Sequence, residues 1–166
     1  MGLYGAVAGY QGDHQSAREY FEIAVSIDPE NNFASGGLEG CYLLTGDTLK
    51  WYESWKKYLW WTDDEYLVSL DSIFEEQGYL GVMEERIRVN EEIYKDGGYK
   101  SFMGQAGRYL AVGNFDRAME YVEKEYEKHS GTLPYISLWA IYNPELKYNH
   151  RYLALLKKMN LPLPED

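Results

Sequence analysis

The sequence predicts an all-α fold, in which four helical hairpins stack in order along the chain and a last helix covers the C-terminal end. A glycine suited to a turn recurs at Gly12, Gly46, Gly78 and Gly113, at intervals of 34, 32 and 35 residues. Each of these glycines follows an apolar helical stretch and precedes an amphipathic one, and no segment shows the alternation of a strand. A period of this length with this layout is typical of stacked helix–turn–helix units.

The periodicity divides one domain into four repeats and a C-terminal cap, and each repeat contains two helices. The repeats and the cap cover approximately 1–31, 32–63, 64–97, 98–130 and 131–166. Apolar spacing and capping residues predict helices at 2–11, 14–28, 32–45, 47–60, 64–77, 79–95, 99–112, 114–128 and 149–160. Asn149 is the expected N-cap of the last helix, and Gly131, Pro134 and Pro144 are expected to break regular structure before it.

The first repeat shows the clearest pattern. Small, aromatic and turn-forming residues occupy seven of its positions: Gly5, Ala8, Gly12, Ala17, Phe21, Ala24 and Pro29. The small residues of its first helix allow a close approach of the second, whose apolar residues share one face at the spacing i, i+4, i+7. This pattern resembles the tetratricopeptide repeat. The fourth repeat follows it at Ala106, Tyr109, Gly113 and Ala118. The resemblance implies a right-handed α-α superhelix and a non-catalytic role in protein binding.

The second and third repeats depart from this pattern. Trp51 and Met83 stand where the first and fourth repeats have alanine, and Trp55 replaces the phenylalanine. Tyr58 and Asn90 stand where the first repeat has its second alanine. Because larger side chains hold helices apart, we expect an irregular pitch across the middle of the array.

Four tryptophans fall within eleven residues of the second repeat. Trp51 and Trp55 are one helical turn apart and are expected in the core. Trp60 and Trp61 are adjacent, so they point to different faces of a helix. They therefore cannot both pack on one seam: either one is buried against the next repeat, between the second and third repeats, or one is exposed as an anchor for a partner.

The C-terminal segment resembles the tail of tetratricopeptide regions that end multidomain bacterial signalling proteins. The resemblance rests on Tyr142-Asn143-Pro144, Arg151-Tyr152, Leu155-Leu156, Met159 and Leu161-Pro162. In that group the tail follows cyclase domains or winged-helix regulator domains, so it implies a scaffolding or regulatory appendage without catalytic residues. Met1 falls inside the expected first helix, so we expect a fragment of a longer protein; the alternative is a short but complete first helix.

In a superhelix of this type, the first helix of each hairpin lines a concave groove. The positions that this register selects are Tyr10, Phe33, Leu43, Glu65, Ser69, Ser72, Glu76, Lys100, Met103 and Leu110. Their mixture of apolar, small and acidic side chains suits a protein or peptide partner with apolar anchors. Two alternatives stay open. These positions pack against the capping segment or a second copy of the chain, or the array packs on an upstream domain and regulates it.

Some members of the family clamp a C-terminal carboxylate with Lys, Asn and Arg at fixed groove positions. The corresponding positions here hold Gly2, Ala6, Gly37, Glu65 and Ser69. None of them is a cation and Glu65 would repel a carboxylate, so the sequence argues against this clamp.

Composition narrows the partners and argues against catalysis. With 16 Lys and Arg against 27 Asp and Glu, the formal net charge of −11 disfavours nucleic acid and anionic membranes. Cys41 is expected to be a buried structural thiol, and the three histidines form no metal motif. Acidic pairs such as Glu91-Glu92 are expected on a solvated face. We therefore expect no enzyme activity, no cofactor and no membrane span.

Overall fold

The computed structural model describes residues 1–59, 63–98 and 101–164, and within these ranges every regular element is helical. The α-helices are α1 (Gly2–Tyr10), α2 (His14–Ile27), α3 (Asn32–Leu44), α4 (Thr48–Lys56), α5 (Asp64–Lys95), α6 (Phe102–Ala111), α7 (Phe115–Glu127), α8 (Trp139–Tyr142) and α9 (His150–Lys158). The all-α prediction is confirmed. The predictions made for Trp60, Trp61 and Lys100 lie outside the described residues.

The chain divides into two compact units, Met1–Tyr79 and Leu80–Asp166, which we call the N-terminal and C-terminal units. Each unit has its own buried core. Within the described ranges, none of the helices combines the length and the apolar character that crossing a bilayer requires.

One kind of turn joins α1 to α2, α3 to α4 and α6 to α7. Its glycine has a φ between 73° and 81°, a conformation that side chains disfavour, at Gly12, Gly46 and Gly113. The residue after the glycine is Asp13, Asp47 or Asn114. Its backbone N–H donates to a carbonyl of the preceding helix at 2.8–3.0 Å, and its side chain accepts the N–H three residues later. A two-residue Gly-Asp or Gly-Asn sequence therefore ends one helix and caps the next.

The turn predicted at Gly78 differs from these three. Gly78 has a φ of 67°, but Tyr79 follows it where the other turns have Asp or Asn. The backbone at Gly78 is non-helical, with a ψ of −155°, so α5 consists of two helical stretches on either side of a kink at this residue. The boundary of the two compact units falls immediately after Tyr79.

The core of the N-terminal unit forms where α1, α2 and α3 meet. The predicted apolar face of α2 is confirmed, since Ala17, Phe21 and Ala24 are all buried. The Phe21 ring lies against bare backbone on both neighbours: a Cβ at Gly5 would lie 3.0 Å from the ring, and a Cβ at Gly37 would overlap it. The two glycines thus form the space that the ring fills.

Aromatic rings fill the next part of this unit. Trp51 is buried and stacks on the half-buried Trp55, with ring centroids 5.4 Å apart. Tyr52 of α4 stacks on Phe74 of α5 at 4.2 Å, and its hydroxyl donates to Asp71 at 2.8 Å. The first hairpin packs through small residues, whereas α4 and α5 pack through stacked rings.

The C-terminal segment is more regular than predicted. Pro134 and Pro144 lie in the first turns of two 3-10 helices, Leu133–Leu138 and Pro144–Tyr148, with α8 between them. The expectation that these prolines break regular structure is wrong, because a proline in the first turn needs no N–H partner. Ile136 and Leu146 are buried in one core with residues of α6, α7 and α9.

The N-cap predicted for the last helix is confirmed. The Asn149 side chain accepts the backbone N–H groups of Arg151 and Tyr152 at 3.1 and 3.0 Å. The Tyr152 hydroxyl donates to the Ile136 carbonyl at 2.7 Å, which fixes α9 against the preceding 3-10 helix.

Candidate interaction site

The predicted groove positions of α1 and α3 are accessible in the N-terminal unit. Tyr10 is exposed, Leu43 is half-buried and Phe33 exposes 56% of its surface. Phe33 is nevertheless held in place, because its ring meets Phe21 edge-on at 6.3 Å and a Cβ at Gly2 would lie 3.3 Å from it. A fixed, exposed aromatic side chain is the type of residue that dominates binding at protein interfaces.

The predicted positions on α5 are also exposed. Glu65, Ser69, Ser72 and Glu76 all face solvent. The Ser69 hydroxyl donates to the Tyr66 carbonyl at 2.7 Å and the Ser72 hydroxyl to a carbonyl one turn earlier at 3.2 Å. Each hydroxyl proton is therefore used within the helix, while its oxygen can still accept a bond from a partner.

The predicted positions on α6 lie against the core of the C-terminal unit. Leu110 is only 7% exposed and belongs to that core, and Met103 is half-buried against it. Both are less accessible than Tyr10 of α1 and Phe33 of α3, which are exposed. The exposed part of the predicted site within the described residues therefore lies in the N-terminal unit.

Gly37 does not have the orientation that the register assigned to it. The position was expected in the groove, but the Phe21 ring occupies the space beside its Cα. The neighbouring Gly36 and Gly40 have no atom within 4 Å of an added Cβ, so they form the open side of α3.

A carboxylate that was expected on a solvated face connects three helices of the C-terminal unit. Glu91 of α5 accepts hydrogen bonds on one oxygen, Oε1, from the hydroxyls of Tyr109 and Tyr121, both at 2.6 Å, and from Arg117 at 3.1 Å. Arg117 also pairs with Glu120. The expectation holds for Glu92, which is exposed, and fails for Glu91, whose side of the helix meets α6 and α7.

The protonation of this Glu91 cluster is set by burial and by its hydrogen bonds. Burial opposes ionisation of Glu91, but the bonds from Tyr109, Tyr121 and Arg117 outweigh it and hold the pKa of the carboxyl below its usual value. Burial and the carboxylate acceptor both raise the pKa of the Tyr109 and Tyr121 hydroxyls. At neutral pH the cluster thus holds one carboxylate and two neutral phenols, which suits a structural contact between helices.

Lysines cover the rings on the outside of the same unit. Lys124 lies 4.3 Å from the centroid of Tyr121, and Lys128 lies 4.2 Å from that of Phe102. Lys158 of α9 lies 4.4 Å from the ring of Tyr126. These cation–π contacts are worth about 0.5–1 kcal/mol each at exposed sites.

The described ranges contain no group of three or more His, Cys, Asp or Glu side chains placed to hold a metal ion. Cys41 is buried as expected, and burial raises the pKa of its thiol. A raised thiol pKa lowers the thiolate fraction that a nucleophile requires.

The role of Glu91 as a contact between helices was not predicted from the sequence, although its position next to Asn90 could have indicated it. Glu91 follows Asn90, which was already placed at the helix seam, and Tyr109 and Tyr121 were aromatic residues on the helices that come next. Asn90 itself donates to Gln105 at 2.9 Å, so both neighbours connect α5 to the following hairpin.

No protein-family model, no curated protein and no solved structure matches the chain.

Proposed function

We propose that the chain is a non-catalytic protein-interaction module, built as a right-handed superhelix of tetratricopeptide-like hairpins. The observation that carries the proposal is the recurring turn at Gly12, Gly46 and Gly113, which joins successive helices with the same backbone conformation and the same cap. An array of identical turns at repeat intervals is what a solenoid requires, because each hairpin buries its apolar face only against the next.

The packing of the first three helices supports this architecture. Gly2 at the start of α1 lies near Phe33 at the start of α3, so both helices begin at the same end of the unit. Phe21 of α2 packs against both of them. Two first helices side by side with a second helix across them is the arrangement that stacked hairpins produce.

The proposed partner is a peptide or protein segment with apolar anchors, one that contacts Phe33 near the start of α1 and one that contacts Tyr10 at its end. Glu65 and Glu76 are exposed on α5 of the same unit, and the chain carries a net charge of −11. The acidic surface favours a basic or neutral partner and disfavours an acidic one. The resemblance of the C-terminal tail supports a place in a bacterial signalling protein, as a scaffold or regulatory appendage.

A peptide selection tests the proposal. Peptides would be selected from a random display library on the purified chain, and their Kd would be measured by fluorescence polarisation on two variants. Phe33→Glu should weaken binding at least tenfold, because it places a charge where the anchor docks. Leu49→Glu is the matched control, since Leu49 on α4 exposes the same 56% of its surface outside the proposed groove.

Thermal unfolding of both variants separates binding from folding, and neither should lower the melting temperature much. The proposal is wrong if the selection gives no peptide that binds, or if Phe33→Glu and Leu49→Glu weaken the selected peptides equally.

A further inference from the structure

The first hairpin exposes six large apolar side chains, whose spacing along α1 and α2 places them on one side of each helix. Its members are Leu3, Tyr4, Val7, Tyr20, Ile23 and Ile27, all exposed. The rings of Tyr4 on α1 and Tyr20 on α2 lie 5.9 Å apart and connect the two helices. We call these six residues the first-hairpin face. Single exposed apolar residues are ordinary, but a contiguous set of this size marks a contact surface.

This face contains no charged side chain. The described sequence of α1 has no Lys, Arg, Asp or Glu at all. On α2, Arg18 pairs with Glu22 at 2.8 Å and lies over the Tyr42 ring of α3 at 5.1 Å, which places both charges on the side of α2 away from the face. Glu19, one turn before Ile23, marks its edge.

We propose that the first-hairpin face is the contact between two copies of this chain. The exposed parts of its side chains amount to roughly 700 Å², close to the roughly 800 Å² that each partner buries in a standard interface. A twofold dimer requires a patch that complements itself, and an uncharged apolar surface does so without like charges meeting. A charged partner would find no opposite charge on this face.

The net charge of the chain predicts how the proposed dimer responds to salt. Two copies at −11 each repel one another, so the free energy of association comes from apolar burial and is opposed by long-range repulsion. Salt should therefore tighten the dimer, whereas it would weaken a contact made by opposite charges. Tyr10 lies one turn after Val7 on the same side of α1, so the face adjoins the proposed groove there, whereas Phe33 lies on α3 outside it. Substitution of Phe33 can therefore test the peptide groove separately from self-association.

Sedimentation equilibrium of the full chain at low and high sodium chloride tests the proposal. We expect a monomer–dimer equilibrium whose Kd falls several-fold as salt rises. Val7→Glu should raise the Kd at least tenfold. Val68→Glu is the control, because it makes the same change in the same unit at a residue outside the face; Val7 and Val68 are 53% and 64% exposed.

Ile27→Lys is a second test in case Val7→Glu destabilises α1, and it should also raise the Kd while far-UV circular dichroism stays that of the wild type. Phe33→Glu should leave the dimer intact. A chain that stays monomeric at about 0.5 mM in high salt would overturn the proposal. So would a dimer that Val68→Glu disrupts as strongly as the two variants of the face.

Discussion

The α1–α2–α3 contact of the N-terminal unit and the α5–α6–α7 contact of the C-terminal unit differ in kind. In the N-terminal unit, Phe21 fits against helices whose contacting residues, Gly5 and Gly37, lack side chains. In the C-terminal unit, three helices meet at Glu91, whose single oxygen accepts three hydrogen bonds. An added methyl group would disturb the packing of the first contact, whereas loss of the carboxylate would disturb the hydrogen bonds of the second. Helical hairpins with the same turns can therefore be joined by quite different chemistry.

The same contrast separates two half-buried carboxylates. Burial raises the pKa of Glu39 on α3 to about 7, and among the described residues no donor is directed at its carboxylate. Glu91 is also half-buried, yet its three donors hold its pKa below the usual value. Burial alone does not decide the charge state of a carboxyl group; the number of donors that the neighbouring helices provide does.

The largest effect is expected from removing the Glu91 carboxylate. Glu91→Ala leaves two buried phenols without their acceptor and removes one of the two carboxylates that pair with Arg117, so it should lower the free energy of unfolding by about 3 kcal/mol. Glu92→Ala is the control: Glu92 is the next residue, is exposed and bonds only to Arg88 among the described contacts, so its loss should cost under about 0.5 kcal/mol.

Urea unfolding followed by circular dichroism measures both free energies. Hydrogen exchange should show the loss of protection in α6 and α7, where Tyr109 and Tyr121 lie. Equal effects of Glu91→Ala and Glu92→Ala would mean that the cluster does not connect these helices.

An added methyl group tests the packing of the N-terminal unit. Gly37→Ala forces the Phe21 ring or the α3 backbone to move and should cost about 2 kcal/mol. Gly36→Ala, one residue earlier on the same helix, meets no atom within 4 Å and should instead stabilise the chain by about 0.5–1 kcal/mol. Thermal and urea unfolding of this pair give the two signs. Stabilisation by both substitutions would contradict the close contact of Gly37 with Phe21.

Local signals predicted most of the fold, but they did not predict which neighbouring helix each side chain contacts. The turn glycines, the Asn149 cap and the buried face of α2 depend on residues within one or two turns, and all three predictions are confirmed. Glu91 was assigned to solvent and Gly37 to the groove. A helical register gives the direction of a side chain, but it does not say which other helix lies in that direction. The same limit applies to the predicted groove positions: Phe33 is exposed, whereas Leu110 is buried in the core of the C-terminal unit.

The two carboxylates should give opposite pH profiles. Glu39 has an ordinary pKa of 4.5 in the unfolded chain and about 7 in the folded one, so the folded state binds the proton more tightly between these values. Its contribution to stability is therefore lost as pH rises from 4.5 to 7. For Glu91, whose folded pKa is lowered, the contribution is present above the ordinary pKa and is lost as pH falls.

Urea unfolding between pH 3 and 8 of Glu39→Gln and Glu91→Gln checks this comparison, because the window for Glu91 lies below pH 4.5. Relative to wild type, Glu39→Gln should gain about 1.5 kcal/mol between pH 4.5 and 8, less than the full shift would give because the half-buried carboxyl is partly screened. The deficit of Glu91→Gln should shrink toward the acid end. Parallel profiles would show that the donors do not distinguish the two sites.

The smallest effect should be the same in both units, because the turn is the same. Asp13→Ala and Asn114→Ala each remove a side chain that caps a helix, α2 in one unit and α7 in the other, at 3.1 and 3.2 Å from the N–H it accepts. Each should cost about 1 kcal/mol. The two values, measured by urea unfolding at neutral pH, should agree within about 0.5 kcal/mol. A much larger cost at one of them would mean that its turn also depends on the packing that differs between the units, so the hairpin would no longer be the common building element.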